Sequence, residues 1–443
     1  MQYFKLIILI SIFGFLSCAE QDPIIEYVTV TETVTETVTV VETVTQTVDP
    51  FADSTLEGNI TTNKILDANK IWLIKGRVAV TDGATLTIPA GTILKAEAGT
   101  GADASTLIIA RGGKIDAQGT ADKPIIFTSI SDNILVDGTY PSVGSSLNVD
   151  SRGLWGGVLI LGKAPCSFSG DVTELQIEGI PTSDTNGLYG GTDPEDSSGT
   201  IKYVSIRHGG AEIGEGNEIN GLTLGGVGKG TIIDNIEVIA NVDDGIEFFG
   251  GTVDASNLLV WGQGDDALDI DQAYAGTIDG ALVVLTSASD HGFEIDGPEG
   301  TAEGSFTLKN VTVYGATFNC NATGVDGEMA DFRQGATGSL ENILFSGFAS
   351  GKDVELDASA DAATYMAGKL TFTNIDIIHP LDTDGNVCSD VETLDKIFDD
   401  KTDPAQSTFE SDALTFAEIV TEKQNGNGVD ESIFSWTFYS KNK

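Results

Sequence analysis

Basic residues are scarce in this chain. Lysine and arginine total 23 of 443 residues against 67 aspartates and glutamates, a formal net charge of −44. So few cations build no basic patch, which argues against nucleic acid and against anionic membrane surfaces as partners. The three histidines, His208, His291 and His379, lie far apart and offer no zinc cluster. Prolines number 11, and the 53 glycines follow no collagen period, which leaves a fold of many tight turns and short strands. No serine or cysteine nucleophile motif, EF-hand loop or nonapeptide calcium repeat occurs. The glycines around Lys229 lack the strand–helix setting of a phosphate loop.

Long apolar runs are also missing beyond residues 6–16, which follow Lys5. Eleven residues are too few to span a bilayer, so residues 1–17 read as a signal peptide. The run ends in Phe15-Leu16-Ser17-Cys18, which resembles a lipobox and implies Cys18 as the lipidated N-terminus. Glu20 and Asp22 resemble the surface-export signal of Bacteroidota lipoproteins. The expected address is the outer membrane of a Gram-negative bacterium, facing the cell surface, with ordinary secretion as the alternative. Loss of Lys5 with the signal peptide takes the charge to 22 − 67 = −45. Export permits a disulfide. Cys320 and Cys388, both in polar loop-like segments, form the expected pair, and Cys166 is expected free and buried.

Residues 18–50 read as a tether. Within them, residues 27–48 are almost only Val, Thr and Glu. Alternating Val and Thr suits an extended strand. Val30, Val34, Thr37, Val41, Val44 and Val48 also fit a coiled-coil repeat, although β-branched residues disfavour an isolated helix. The expectation is a monomeric tether.

From residue 51 the pattern becomes short alternating strands closed by Gly, Asp or Asn. One unit occurs three times in residues 241–297. Asp243-Asp244-Gly245-Ile246-Glu247-Phe248 recurs as Asp265-Asp266-Ala267-Leu268-Asp269-Ile270 and as Asp290-His291-Gly292-Phe293-Glu294-Ile295. The shifts are 265 − 243 = 22 and 290 − 265 = 25 residues, the irregular period of a solenoid. Gly83-Ala84-Thr85-Leu86-Thr87-Ile88 and Gly112-Gly113-Lys114-Ile115 resemble coils of right-handed parallel β-helices of the pectin lyase-like superfamily. Residues 154–164, 202–210, 217–231 and 243–253 look like those of exported bacterial β-helix lipoproteins. The expected class is all-β, a right-handed parallel β-helix over residues 51–443. Insertions at 130–150, 181–198 and 318–330 are expected to project, and a helical cap is expected at about 391–424. Asn235, Asn257, Asn310, Asn342 and Asn374 recur at one phase, where asparagine accepts a left-handed bend and stacks along the axis.

In register, Ile246, Leu268 and Phe293 point inward while Glu247, Asp269 and Glu294 stack outward, with Glu355 continuing them. Carboxylates on adjacent coils repel and need relief. Three readings stay open. The aspartates bond to backbone at the sheet corners. Alternatively, Glu247, Asp265, Asp266, Asp269, Asp271 and Glu294 supply oxygens to Ca²⁺. The third is enzymatic. Asn241-Val242-Asp243-Asp244-Gly245, Asp265-Asp266 and Asp290-His291-Gly292 resemble motifs on successive coils of polygalacturonases. The resemblance implies Asp244, Asp265 and Asp266 as the carboxylates of an inverting hydrolase, with His291 assisting. The family's later Arg-x-Lys departs here: Arg333 is present and the following Lys is not.

The functional expectation is a surface lipoprotein whose β-helix face binds a glycan or a cell-surface protein. The alternatives are a polysaccharide-cleaving glycoside hydrolase of polygalacturonase-like type and a purely structural or adhesive shaft. The membrane is reached through the lipid on Cys18, and Ca²⁺ is the one candidate cofactor.

Overall fold

The computed structural model describes residues 51–136, 145–212, 218–316, 327–382, 384–389, 391–424 and 426–443. The expected signal peptide and tether, with Cys18, and Cys320 lie outside the described residues. Cys388 is buried and disulfide-bonded, while Cys166 is free and partly buried. The folded unit is Ser54–Lys443.

Its strands pair in parallel from coil to coil and build three sheets around one axis. In the first sheet Ile233, Ala255, Ile278, Leu308, Leu340 and Phe372 stack in register. In the second the column is Val204, Ile236, Leu258, Ala281, Val311, Ile343 and Ile375. In the third it is Leu222, Ile246, Leu268, Phe293, Ala330, Val354 and Phe398. All three columns are buried and meet in one continuous apolar core, as expected of a parallel β-helix. Burying each large side chain contributes about 1.5–3 kcal/mol.

The first and second sheets are joined by a bend of a single residue. Asn235, Asn257, Asn310, Asn342 and Asn374 hold it at φ of 56°, 56°, 58°, 58° and 58°. Gly280 takes the same place at 87°. Asparagine tolerates this left-handed region better than other residues with a Cβ. Its amide also links coils: Asn342 Nδ2 donates to Asn310 Oδ1 at 3.1 Å, and Asn374 Nδ2 donates to Asn342 Oδ1 at 2.8 Å. The repeated asparagines are structural.

Two expectations need correction. Residues 328–330 belong to the strand Glu328–Arg333 and do not project. The segment at 181–198 folds back on the third sheet, where Tyr189, with Phe168, Ile177 and Ile180, packs on Leu161 and Phe249. These apolar side chains bury surface that projection would leave in water. Residues 391–424, where a helical cap is expected, hold the short helices Leu394–Ile397 and Phe409–Phe416 together with strands Phe398–Asp400 and Ala417–Ile419. Phe372, Phe398, Phe409 and Phe416 close the end of the core with their rings. Beyond them the chain returns to the second sheet. Val429, Phe434 and Tyr439 cover Ile239, Leu259, Leu282 and Val284, apolar side chains that the strand alternation turns outward.

Candidate functional site

The outer face of the third sheet carries the acids. Strand alternation turns the residue after each core position outward. In register these are Thr223, Glu247, Asp269, Glu294, Asp331, Glu355 and Asp399. The predicted triplet is therefore in register as expected, and Glu355 continues it. Asp331 fills the coil between Glu294 and Glu355, and Asp399 adds another. Neither stands out in the sequence, because insertions stretch the spacing from Phe293 to Ala330 and from Val354 to Phe398. The short patterns Ala330-Asp331-Phe332 and Phe398-Asp399-Asp400 were the available signal.

Steps of about 4.8 Å make the six acids from Glu247 to Asp399 a column of roughly 24 Å. Like charges ~4 Å apart repel by about 4 kcal/mol at an effective dielectric of ~20. The two halves of the column answer this differently. In the later half Arg333 contacts Glu294, reaches Asp296 at 2.7 Å and comes within 3.9 Å of Asp331. Lys401 lies 2.7 Å from Asp353, 3.0 Å from Glu355 and 2.8 Å from Asp399. Burial works against the Lys401 charge, but its bonds to Asp353, Asp399 and Glu355 raise its pKa overall. Lys352 lies 3.2 Å from Glu328.

The earlier half has carboxylates against carboxylates. One oxygen each from Asp244, Glu247 and Asp269 lies within 4.8 Å of the others, and all three residues are buried. Burial, then the neighbouring charges, pushes all three pKa values well above the carboxylate range. Asp243 is pushed to about 7 by burial and then by Glu178, an acid of the segment that folds over this end. Asp271 is raised to about 7 by burial and then Asp296.

A second column lies at the corner ahead of these strands. The Asp266 backbone N–H donates to Asp244 Oδ1 at 3.0 Å, and that of His291 donates to Asp266 Oδ1 at 2.7 Å. Each carboxylate thus caps the turn of the next coil, so the first of the three readings holds for these two aspartates. His291 Nδ1 also bonds Asp266 Oδ1 at 2.8 Å. Burial opposes its charge, but the bond to Asp266, with the Asp266 and Asp290 charges, raises the imidazole pKa to about 9. That direction favours the imidazolium at neutral pH.

The structure brings the four expected catalytic residues to one corner. Asp243, Asp244 and Asp265 each place an oxygen within 4.8 Å of the other two, and Asp266 holds His291. Asp244 and Asp266 are buried in their caps, while Asp265 lies more open at the rim, with a pKa raised to about 6 by partial burial and then Asp266. The six expected calcium ligands fall into separate groups. Glu247 and Asp269 join Asp244, Asp265 joins Asp243 and Asp244, and Asp266 joins Asp290 and His291. Glu294 is held by Arg333, and Asp271 faces the Asp296 charge. His208 is buried, bonded at 2.7 Å through Nδ1 to Ser151 O, and burial lowers its pKa to about 4. It is a structural residue.

No curated protein and no solved structure matches the chain. A family model described as a pectate-lyase like beta helix domain matches residues 58–438. That span takes in all three sheets and the acidic face, and the chain belongs to the pectate-lyase-like β-helix family.

Proposed function

We propose that this protein is a lipid-anchored cell-surface β-helix whose acidic face binds an extended glycan. The observation that carries the reading is the in-register acidic column of the third sheet, in which Glu294, Glu355 and Asp399 are half-open to solvent while Glu247, Asp269 and Asp331 are buried. A polymer lying along the column can donate hydrogen bonds from its hydroxyls to these half-open carboxylates. The family's polysaccharide-related fold supports a glycan over a protein partner. The net charge of −44 favours a neutral or amine-bearing polymer over a uronic acid polymer. Arg333, the side chain that would grip a substrate carboxylate, is already engaged by Glu294 and Asp296. The address rests on residues 1–22, and among the described residues no helix is long and apolar enough to cross a membrane.

Affinity electrophoresis through neutral, anionic and amine-bearing polysaccharides tests this. Retardation by a neutral or amine-bearing polymer is expected, with about tenfold weaker binding for Glu294→Gln or Glu355→Gln. A folded protein that no polymer in the panel retards ends the reading.

A second reading, hydrolysis, is favoured by one observation. Asp243 and Asp265 sit at the rim with pKa values near 7 and 6, suited to proton transfer at neutral pH. Against it, oxygens of the two lie within 4.8 Å, closer than the roughly 6.5–9.5 Å between carboxyl groups that leaves room for water in an inverting enzyme. Reducing-sugar release that Asp265→Asn abolishes would establish hydrolysis.

A further inference from the structure

The outer faces of the three sheets are covered unequally. On the second sheet the outward residues Ser205, Glu237, Leu259, Leu282, Thr312 and Leu344 are all buried. On the third, the segment that carries Tyr189 covers one end. On the first, none of the outward residues from Thr200 to Glu341 is buried. Lys202, Asp234, Ser256, Asp279, Lys309 and Glu341 stand in register there, one per coil and each half-exposed. Beside them stand Thr200 and Ile232, then Thr277, Thr307 and Ser339, and Ile232 is 48% exposed.

The order of charges along this column matters. It runs positive, negative, neutral, negative, positive, negative. A second copy can be turned end for end and laid with its first sheet against this one, the two-fold axis running along the strands between the Ser256 and Asp279 coils. Lys202 then faces Glu341 of the partner subunit, Asp234 faces the partner's Lys309, and Ser256 faces the partner's Asp279. Two-fold symmetry makes each pairing twice, and no like charges meet along the column. In the neighbouring column Ile232 faces the partner's Thr307, whose methyl group can cover it. Shafts laid in the same direction would instead set every charge against its own copy. Sheets packed face to face lie about 10 Å apart, a gap that a lysine and a carboxylate span together.

The charges are already held in place. Asp234 Oδ1 accepts from Asn235 Nδ2 at 2.8 Å and from Ser256 Oγ and Asn257 Nδ2 at 2.9 Å. Asp279 Oδ1 accepts from Asn310 Nδ2 at 2.6 Å. Side chains fixed beforehand lose little freedom on docking. Lys202 lies 3.5 Å from Asp234 and Lys309 lies 3.2 Å from Asp279, so docking extends these pairs into a network without breaking them. Two chains of net charge −44 repel over most of their surfaces, and contact needs a face that is locally balanced. Two lysines against three acids make this column nearly so.

We infer that the outer face of the first sheet is a self-docking surface, through which two copies of this chain pair as antiparallel shafts. Six coils at about 4.8 Å and about four residues per strand give a contact of roughly 29 Å by 13 Å. That is at the low end for specific interfaces, so the pair is weak, with a Kd on the order of 10–100 µM. The two Ser54 ends then lie at opposite ends of the pair. The acidic face of the third sheet stays open in each copy, so the inference is independent of the glycan reading.

Sedimentation equilibrium of the full-length chain in density-matched detergent tests it, at concentrations up to about 500 µM. In about 0.15 M salt a Debye length of ~8 Å screens the charges of the other faces but not the contact pairs. A monomer–dimer equilibrium is expected. Lys202→Glu and Glu341→Lys each bring like charges together twice in the pair, and each should weaken it by about tenfold or more. The double variant Lys202→Glu/Glu341→Lys restores opposite charges and should return the Kd to within about threefold of wild type. Both side chains lie outside the core, so thermal midpoints close to wild type are expected for all three variants. Wild type that stays monomeric at about 500 µM overturns the inference without recourse to any variant and leaves the face to another partner. Association unchanged in Lys202→Glu also overturns it, because the copies then meet elsewhere. So does a double variant no tighter than the single ones, because Lys202 and Glu341 are then not opposed.

Discussion

Asp269 and Glu294 are partners across one coil step, yet of the two it is Glu294 that Arg333 meets, while Asp269 keeps a buried oxygen without a donor. Charge compensation thus changes within a single step of about 4.8 Å. On one side the protein supplies its own cations. On the other, carboxylates sit against one another. This asymmetry makes the two halves respond differently to mutation.

Lys401 is the first case. It touches three carboxylates at 2.7 to 3.0 Å, so Lys401→Met leaves Asp353, Glu355 and Asp399 facing one another. Loss of a buried partner costs about 3–5 kcal/mol, but this ammonium is 35% exposed, and solvent screening reduces the expected loss to about 1–2 kcal/mol. Lys369→Met is the control, since its pair with Glu303 is 55% and 83% exposed and a change within about 0.5 kcal/mol is expected. Urea midpoints at constant slope measure both. Equal effects would mean that the Lys401 cluster carries no special weight.

The asparagine bend is the second. Asn342 sits at φ 58° and bonds Asn310 and Asn374 in neighbouring coils. Asn342→Ala places a Cβ without a compensating amide in the left-handed region and should cost about 2–3 kcal/mol. Asn342→Gly relieves the backbone but not the amide ladder, so it should recover about half of that loss. If glycine restores full stability, the amide stack contributes nothing.

Acidity should stabilise the later half of the column. Burial first, and then neighbouring carboxylates, raises Asp331 to about 7 and Asp296 to about 6. A carboxyl whose folded pKa exceeds its unfolded value of 3.8 holds its proton more tightly when folded. Its contribution is full below about pH 4 and is lost as pH rises through 6 to 7. His291, raised to about 9, acts in the same sense over a higher window, present below 6.5 and lost through 9. His208 and His379, shifted down by burial, act in the opposite sense below 6.5, so the thermal midpoint in chelator is expected to fall from about pH 6.5 to pH 9. A midpoint that rises over this range would contradict the burial of these carboxyls.

The sequence made the architecture legible where its period held. Ile246, Leu268 and Phe293 stand at the same phase after short turns, so inward and outward faces separate cleanly and their register matches the structure. The positive-φ bend was legible because asparagine is chemically suited to it. Asp331 and Asp399 were hidden by insertions that interrupt the period. The compensating cations were hidden for a related reason. Arg333 and Lys401 neutralise acids that are distant in sequence, and their placement follows only once the register beyond each insertion is known. The return of Val429, Phe434 and Tyr439 over the second sheet was foreshadowed by outward Leu259 and Leu282, but nothing local says which segment covers them.

The bond between Asp266 and His291 gives the sharpest spectroscopic prediction. His291 Nδ1 lies 2.8 Å from Asp266 Oδ1, and its pKa is held near 9. The other two histidines move the opposite way, because burial lowers His208 to about 4 and also lowers His379. In a proton NMR titration of the ring carbons' hydrogens, one signal should therefore titrate well above 6.5 and the others below it. Asp266→Asn keeps an oxygen for the His291 backbone N–H but removes the charge, so the high signal should fall toward 6.5 while the other two stay in place. If wild-type His291 titrates near 6.5, it is free at neutral pH to take a proton, and hydrolysis gains ground over binding. If it titrates near 9, the imidazolium serves as the counter-ion of Asp266, and general-base chemistry must be sought at Asp243 and Asp265 instead.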